Sequence, residues 1–365
     1  MRKVSGWLLQ TVAILICAAA PAGLWAQNRA TTAKPWTPPL TSDGQPDLQG
    51  VWTDTSATPL ERPKAFAGRA VLTDEEVKAF RERAARLQSD STNDFLAGDN
   101  LFLFLTTGLE KADSPNATGT AADMVVREID NRTSLITDPP DGRLPPVTPQ
   151  GATRQAAGQA ATLAIPWQPG QDAATVQRQT AAATARPTPA GPEDLTNWLR
   201  CITWGVPRLA GNANYTSHYE IVQSPGYVVL LSEVNHEARV VPLDSRPHLA
   251  QNLRQWTGDS RGHWEGQTLV IDTTNFSSRS YFLGAAESLH LTERLTRTGP
   301  DTMDYAITVD DRTTWTTRWT AVVRLKRRDE QLFEFACHEG NYDVMRSILG
   351  GARSEDRARA LAGKR

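Results

Sequence analysis

The amino-acid sequence predicts a mainly β fold, either an antiparallel lipocalin-like barrel or a β-sandwich, with a few peripheral helices. From residue 219 onward, about nine short segments with strand character follow one another at regular spacing, separated by turn sequences. In one of them Tyr305, Ile307 and Val309 share a face, and polar or small residues alternate with them. A strand with one buried and one solvent-exposed face is typical of an antiparallel sheet. The Gly-Val-Trp sequence at residues 50–52 favours the barrel.

The elements are assigned from periodicity and from turn and capping signals. Thr73 and Glu76 form a capping-box pattern that opens the first helix, and Pro149 suits the first turn of the second. The predicted helices are residues 73–87, a segment starting at 148, 192–201 and 343–362. The predicted strands are residues 48–52, 133–137, 219–223, 227–234, 239–243, 263–264, 268–276, 289–298, 302–310, 320–328 and 331–337. Residues 47–342 are thus a single β-rich domain, followed by a C-terminal helix and tail at 343–365.

The N-terminal residues predict export. Arg2 and Lys3 precede an apolar run at residues 7–20, and a small residue precedes Gln27, so residues 1–26 have the pattern of a secretory signal peptide. The predicted location is periplasmic or secreted, with no membrane span after cleavage. Residues 27–46 carry four prolines and are expected to form an extended leader. The Ala/Thr/Pro-rich residues at about 156–190 are expected to be a mobile insertion.

Charge and motifs exclude several function classes. The chain has 39 basic and 41 acidic residues, a net charge of −2, and loss of Arg2 and Lys3 leaves 37 basic residues and −4. This balance does not predict nucleic-acid binding, which needs a basic excess. The sequence contains no G-x-S-x-G elbow, Walker loop, H-E-x-x-H pair or dinucleotide fingerprint. These absences argue against common α/β hydrolases and nucleotide cofactors, and no cofactor is predicted.

Two cysteines remain after cleavage, Cys201 and Cys337. Two distant cysteines in an oxidising compartment predict one disulfide, and a pair of buried free thiols is the alternative. No C-x-x-C spacing of a redox or zinc site is present.

Eight short motifs resemble those of a family of secreted bacterial proteins of unknown function, abundant in Acidobacteria and some Proteobacteria. The motifs are PDLQGVW (46–52), TSLI (133–136), DPPDGR (138–143), IVQSPGY (221–227), DSRPH (244–248), WEGQTLV (264–270), LHLTER (289–294) and CHEGNY (337–342). The resemblance spans most of the mature chain except the insertion. It implies a family and a location, and no reaction.

A concentration of polar residues between positions 233 and 265 is the candidate site. It comprises Glu233, His236, Arg239, Asp244, Arg246, His248 and Glu265. His290 and His338 form a second, smaller set, and His338 lies beside Cys337. A short connection between strands brings Glu233 near Arg239, and period-two spacing places Asp244, Arg246 and His248 on one side of an extended segment. Arginine forks amid carboxylates bind carboxylate or phosphate groups, and a His beside a Glu moves protons near neutral pH.

Three functions remain open. The first is a barrel that binds a small, partly apolar ligand with a polar or anionic end held by Arg239, Asp244, Arg246, His248, Glu265 and His338. The second is a cofactor-free hydrolase, lyase or isomerase, with Glu233 and His236 as catalytic acid and base. The third is a structural or interaction protein in which the charge pairs only pin a loop. A zinc set of Glu233, His236, His248 and His338 lacks diagnostic spacing, and no metal is predicted.

Overall fold

Nine antiparallel strands form a nearly closed barrel. The structure is a computed structural model that describes residues 36–89, 128–161, 189, 191–207, 218–280 and 282–362. The strands are β1 (Gly50–Asp54), β2 (Ile136–Asp138), β3 (His218–Ser224), β4 (Tyr227–Ser232), β5 (Glu237–Pro242), β6 (Asp259–Glu265), β7 (Thr268–Thr274), β8 (His290–Gly299), β9 (Thr302–Asp310) and β10 (Trp319–Arg328). They follow one another in the order β5-β4-β3-β1-β10-β9-β8-β7-β6, and short β2 pairs with β10.

The two terminal strands of this path, β5 and β6, lie side by side. A Cβ atom on Gly262 of β6 would lie 2.8 Å from Val241 Cγ1 of β5, so the missing side chain lets the strands approach. The sheet therefore curves back on itself, which confirms the predicted mainly β antiparallel fold. Of the two predicted architectures, the barrel is the one observed.

The inner face is built by the period-two alternation of the strands. Register aligns Leu291 with Val309 and Val309 with Trp319, and every second residue of β9 is buried. A second row joins Leu295 to Tyr305 and Val323. The largest completely buried side chains are Trp52, Trp315, Trp319 and Phe276.

Three α-helices are present in the described ranges: α1 (Asp74–Ser89), α2 (Pro149–Ala161) and α3 (Asn341–Ala362). The capping box before α1 is formed, with Thr73 N donating to Glu76 Oε2 at 2.8 Å and Glu76 N donating to Thr73 Oγ1 at 3.2 Å. At α2, Gly151 lies so close to the β9–β10 turn that a Cβ would meet Thr314 O at 2.5 Å. None of the described helices has the length and apolar character needed to cross a bilayer.

Two predicted elements are wrong. Residues 331–337 are not a strand, because β10 already pairs with β9 along one side and with β1 and β2 along the other. Only Phe335 forms an isolated bridge, with Val234. The predicted helix at 192–201 is one 3-10 turn, Pro192–Asp194, followed by hydrogen-bonded turns. The signal peptide, the leader up to residue 35 and most of the insertion at 156–190 lie outside the described residues, although α2 extends to Ala161.

Cys201 and Cys337 lie at disulfide distance, in agreement with the predicted pair. Their sulfur atoms are 2.04 Å apart and their Cα atoms 5.8 Å apart. The bond joins the turn that precedes β3 to the segment between β10 and α3. It spans 136 positions of the sequence and so constrains a long loop.

Candidate functional site

The predicted polar cluster is divided among separate places in the structure. Glu233 Oε2 lies 3.0 Å from His218 Nδ1, and exposed His236 Nδ1 lies 3.5 Å from Glu334 Oε1. Arg239 has the same phase in β5 as buried Val241 and points into the barrel. The predicted contact between Glu233 and Arg239 is therefore wrong, because the alternation of β5 turns the arginine away from the turn.

Asp244 and Arg246 form a half-exposed ion pair on the surface. Arg246 Nε donates to both carboxylate oxygens of Asp244 at 2.8 Å, and its Nη2 donates to Tyr227 Oη at 3.2 Å. The hydrogen bonds from Arg246 lower the pKa of Asp244 to about 2. With each charge already engaged, this pair fixes the chain that leaves β5.

Glu265 and His338 lie apart from that pair. Glu265 accepts from Arg294 Nη2 at 2.8 Å and faces His263 Nε2 at 3.1 Å on the outer face, and the hydrogen bond from Arg294 lowers its pKa. His338 precedes α3, where its carbonyl accepts from Asn341 N at 3.2 Å. Neither residue joins His248, so the predicted ligand-binding set is not one site.

His248 belongs to a chain of alternating carboxylates and imidazoles on the outer face. Its Nδ1 lies 2.9 Å from Asp259 Oδ2, and its Nε2 lies 2.8 Å from Asp272 Oδ1. The other oxygen of Asp272, Oδ2, lies 2.5 Å from His290 Nε2. Because ionised carboxylates only accept hydrogen bonds, the imidazolium form of His248 donates to both of its neighbours. We call Asp259, His248, Asp272 and His290 the outer relay.

The charges of the outer relay stabilise one another. Hydrogen bonding to Asp272 raises the pKa of His290. Burial opposes ionisation of Asp272, but the hydrogen bonds from His290 and His248 outweigh it and lower the pKa of that carboxyl. Arg261 Nη1 donates to Asp259 Oδ1 at 2.7 Å, which anchors the far end. Asp259 and Asp272 were missed, and His290 was grouped with His338 instead of His248, because these contacts depend on how the β5–β6 connection crosses the sheet.

A second polar group lies inside the barrel. Arg239 Nη2 donates to Glu293 Oε1 at 2.8 Å and Nη1 donates to Oε2 at 2.5 Å, while the Tyr305 hydroxyl also donates to Glu293. Glu293 is fully buried. Burial would lower the pKa of Arg239, but the charge of Glu293 raises it, and burial raises the pKa of Tyr305 well above its usual value. We call Arg239, Glu293 and Tyr305 the inner ion pair.

The sequence carried a signal for the inner ion pair. Glu293 stands between Leu291 and Leu295 in the apolar phase of β8, where a carboxylate needs a buried partner. The partner, Arg239, lies 54 positions away and could not be identified before the strand order was known.

Three tryptophans in the barrel core have buried indole nitrogens without a hydrogen-bond acceptor among the described residues. They are Trp264, Trp315 and Trp319. Trp52 lies at the opposite end of the barrel from Trp319, and its indole Nε1–H donates a hydrogen bond to Leu48 O at 2.8 Å. Buried Trp N–H groups usually find a partner, so the three open donors are chemically available inside the barrel.

No metal-ligating group was found in the described ranges, where no three His, Cys, Asp or Glu side chains converge suitably. The residues considered for zinc are separated: His248 lies in the outer relay and His236 faces Glu334.

Comparison with known proteins adds little. The chain matches no family model and no curated protein sequence. Among solved structures it is similar to a mutant of the fluorescent protein UnaG, with 15% sequence identity and a TM-score of 0.23. The match covers 37% of this chain and 87% of that one.

Proposed function

We propose that this protein binds a small, largely apolar and uncharged ligand inside its barrel. The observation that carries the proposal is the set of three buried indole N–H donors, on Trp264, Trp315 and Trp319, for which the described residues supply no acceptor. An unsatisfied buried donor costs free energy, and a ligand that accepts a hydrogen bond recovers it. Aromatic walls with a few polar groups are typical of small-molecule sites.

The interior charges favour a neutral ligand. Arg239, the one predicted anion-binding residue that points inward, already neutralises Glu293. Arg246, His248 and Glu265 lie on the outer face and make no contact with the interior donors. Of the polar or anionic end that the sequence predicted for the ligand, we therefore propose the polar one, a neutral hydrogen-bond acceptor.

We also propose that the protein is exported and belongs to the secreted family that its motifs resemble. The close pair Cys201 and Cys337 supports an oxidising compartment.

Native mass spectrometry tests ligand binding. The protein is exported to the periplasm, purified without detergent and measured under native and denaturing conditions, beside the variant W198F. Trp198 is an exposed tryptophan of the turn before β3, so its replacement leaves the barrel interior intact. We expect extra mass of a small molecule that is lost on denaturation, in both proteins. A bare native mass, together with unchanged indole N–H resonances on addition of apolar ligands, would contradict the proposal and favour an interaction protein.

A second candidate is acid–base catalysis at the outer relay. A partly exposed His290 backed by Asp272 and His248 has the imidazole–carboxylate pairing used for proton transfer. Glu233 and His236 do not act as one acid–base pair, because Glu233 faces His218 and His236 faces Glu334. Hydrolysis of a panel of activated esters would be lost in D272N and kept in D304N, since Asp304 is an outer-face carboxylate paired with Arg324. Equal activity in both variants would remove this candidate.

A further inference from the structure

The geometry points to a defined subsite at one end of the barrel, formed by Trp315, Trp319 and Phe282. We infer that it takes a flat, uncharged, conjugated ring bearing a carbonyl-type acceptor. The ring replaces Phe282 on Trp319, and the carbonyl accepts from an indole N–H. The inference rests on the proposed function and adds the place and the class of ligand.

The two tryptophans form a rigid corner. Their ring centroids are 5.5 Å apart with an interplanar angle of 80°, and both side chains are 0% exposed. Neither indole nitrogen has an acceptor within the described part of the chain. The corner therefore combines a flat apolar face with two hydrogen-bond donors that are shielded from water.

Phe282 shows which shape fits this corner. Its ring stacks on Trp319 with an interplanar angle of 20° and a centroid distance of 6.2 Å. Unlike the two tryptophans, Phe282 is only partly buried, and it packs against the core cluster. The Phe282 side chain covers the face of Trp319 but carries no hydrogen-bond acceptor. The indole N–H groups of Trp315 and Trp319 therefore gain no partner from it.

The turn that carries Phe282 lies outside the strand ladders; Thr314 Oγ1 donates to its Gly284 O at 3.3 Å, and its Ala285 is buried in the core. Phe282 and Ala285 exchange backbone hydrogen bonds of 3.0 and 2.8 Å, and Leu283 and Gly284 between them have φ values of +51° and +93°. Two side chains of α2 hold the turn: Arg154 Nε donates to Gly284 O at 2.6 Å and Gln155 Nε2 donates to Leu283 O at 2.7 Å. The Phe282 ring can leave Trp319 without breaking a strand ladder.

The charge beside the corner selects against anions. Asp311, whose side chain is fully buried, precedes Trp315 in the β9–β10 turn. Its carboxylate accepts from Thr313 Oγ1 at 2.6 Å and Thr314 Oγ1 at 2.9 Å, and Arg154 Nη2 lies 4.0 Å away. Arg154 is thus already engaged by Asp311, Thr313 and Thr314 and is not free to pair with a ligand carboxylate, whereas a neutral carbonyl needs no such partner.

A matched pair of probes tests the subsite. 2-Acetylnaphthalene and 2-ethylnaphthalene have nearly the same shape, and only the first carries a carbonyl. We expect the ketone to bind about five- to tenfold more tightly, as one hydrogen bond to a buried donor predicts. In the 15N-labelled wild-type protein the ketone should shift the indole N–H resonance of Trp315 or Trp319, and the ethyl compound should shift it less.

Tryptophan variants identify the indole that binds the carbonyl of the ketone. The preference for the ketone should fall toward one in W319F or W315F and persist in W198F, the exposed control. F282A should bind both probes more tightly, because the ring that competes with them is gone. This variant and the wild-type resonances keep the test valid if a buried tryptophan variant does not fold.

Three results would overturn the subsite. Equal affinity for the two probes would exclude the hydrogen bond, and failure of both to bind would exclude a ring site. A preference lost in W264F but kept in W319F and W315F would place the carbonyl at Trp264. In each case the proposed function is judged separately, by the ligand retained in native mass spectrometry.

Discussion

The two ends of the barrel are both closed by tryptophans, but they differ in hydrogen bonding. At one end, the Arg297 guanidinium lies 5.4 Å from the ring centre of Trp36 and 5.6 Å from that of Trp52. Arg297 donates to Asp47 O at 2.9 Å and Pro300 O at 2.5 Å, and Trp52 donates to Leu48 O at 2.8 Å. We call this the Arg297 end. At the other, the Trp319 end, the indole N–H groups of Trp315 and Trp319 have no acceptor among the residues that the structure describes.

The comparison shows that burial alone does not identify a binding site. Trp52 and Trp319 are equally buried, both at 0% exposure. Trp52 is satisfied by the backbone of its own chain, as expected of a side chain that closes a fold. Trp319 has the same apolar packing without the acceptor. Hydrogen bonding therefore distinguishes Trp52 from Trp319, although at the Arg297 end one donor, Arg297 Nε, also has no partner among the described residues.

The largest loss of stability is expected at the inner ion pair, which lies in the barrel interior. E293Q removes the negative charge while Arg239 stays buried, and we expect a loss of about 3–5 kcal/mol in the free energy of unfolding. Urea unfolding followed by circular dichroism measures it. E334Q, at an exposed glutamate, is the control and should stay within about 0.5 kcal/mol of the wild type.

A double variant sharpens this prediction. R239M/E293L replaces both charges with apolar side chains and should recover most of the lost stability, since the cost lies in an unpaired buried charge. If E293Q were as stable as the wild type, the pair would not be shielded from water and the interior would be wet.

The strands were predictable where burial alternates cleanly. The prediction for residues 302–310 coincides with β9, and that for 320–328 differs from β10 by one residue, because each presents one face to the core. The same alternation in Phe333, Phe335 and Cys337 was misleading, since this segment makes only an isolated bridge, between Phe335 and Val234, and Phe333 remains 70% exposed. Alternation predicts an extended chain, whereas a strand also needs a partner.

The candidate site was less predictable, because its contacts are distant in sequence. Proximity along the chain suggested that Glu233 and Arg239 meet, whereas the barrel pairs Arg239 with Glu293. His248 was identified, but its partner Asp272 lies on β7 and becomes a neighbour only after the β5–β6 connection crosses the sheet. Open indole donors have no sequence signature, since Trp52 and Trp319 are the same residue type in different surroundings.

At the Arg297 end, R297M should cost about 2–3 kcal/mol. The substitution keeps apolar length but removes two charge-assisted hydrogen bonds to carbonyls and the contacts with two aromatic rings. Urea unfolding measures the change, with R312M at an exposed arginine as the control. A loss no larger than that of R312M would mean that this end is not closed by Arg297.

At the Trp319 end, F282A should cost less, about 1–2 kcal/mol, because the ring is only partly buried and its turn is held by α2. Hydrogen exchange of the Trp319 indole N–H should become faster, while that of Trp52 should not change. A cost equal to that of R297M would make the two ends equivalent closures and remove the contrast between them.

The smallest expected effect is a dependence of stability on pH near neutrality, which we assign to the contact between His290 and Asp272. Asp272 raises the pKa of His290, so this contact stabilises the fold fully below about pH 6.5 and is lost as the pH rises through the folded-state value. The groups are partly exposed, so we expect less than about 1 kcal/mol between pH 6 and pH 8.5. In urea unfolding, the free energy of unfolding should fall less from pH 6 to pH 8.5 in H290A and in D272N than in the wild type. The double variant should show the same pH dependence as the single variants. Arg297 stays charged throughout this range, so R297M should lower stability equally at both pH values. A dependence that survives in H290A would assign the titration to another group and leave the outer relay without a role in stability.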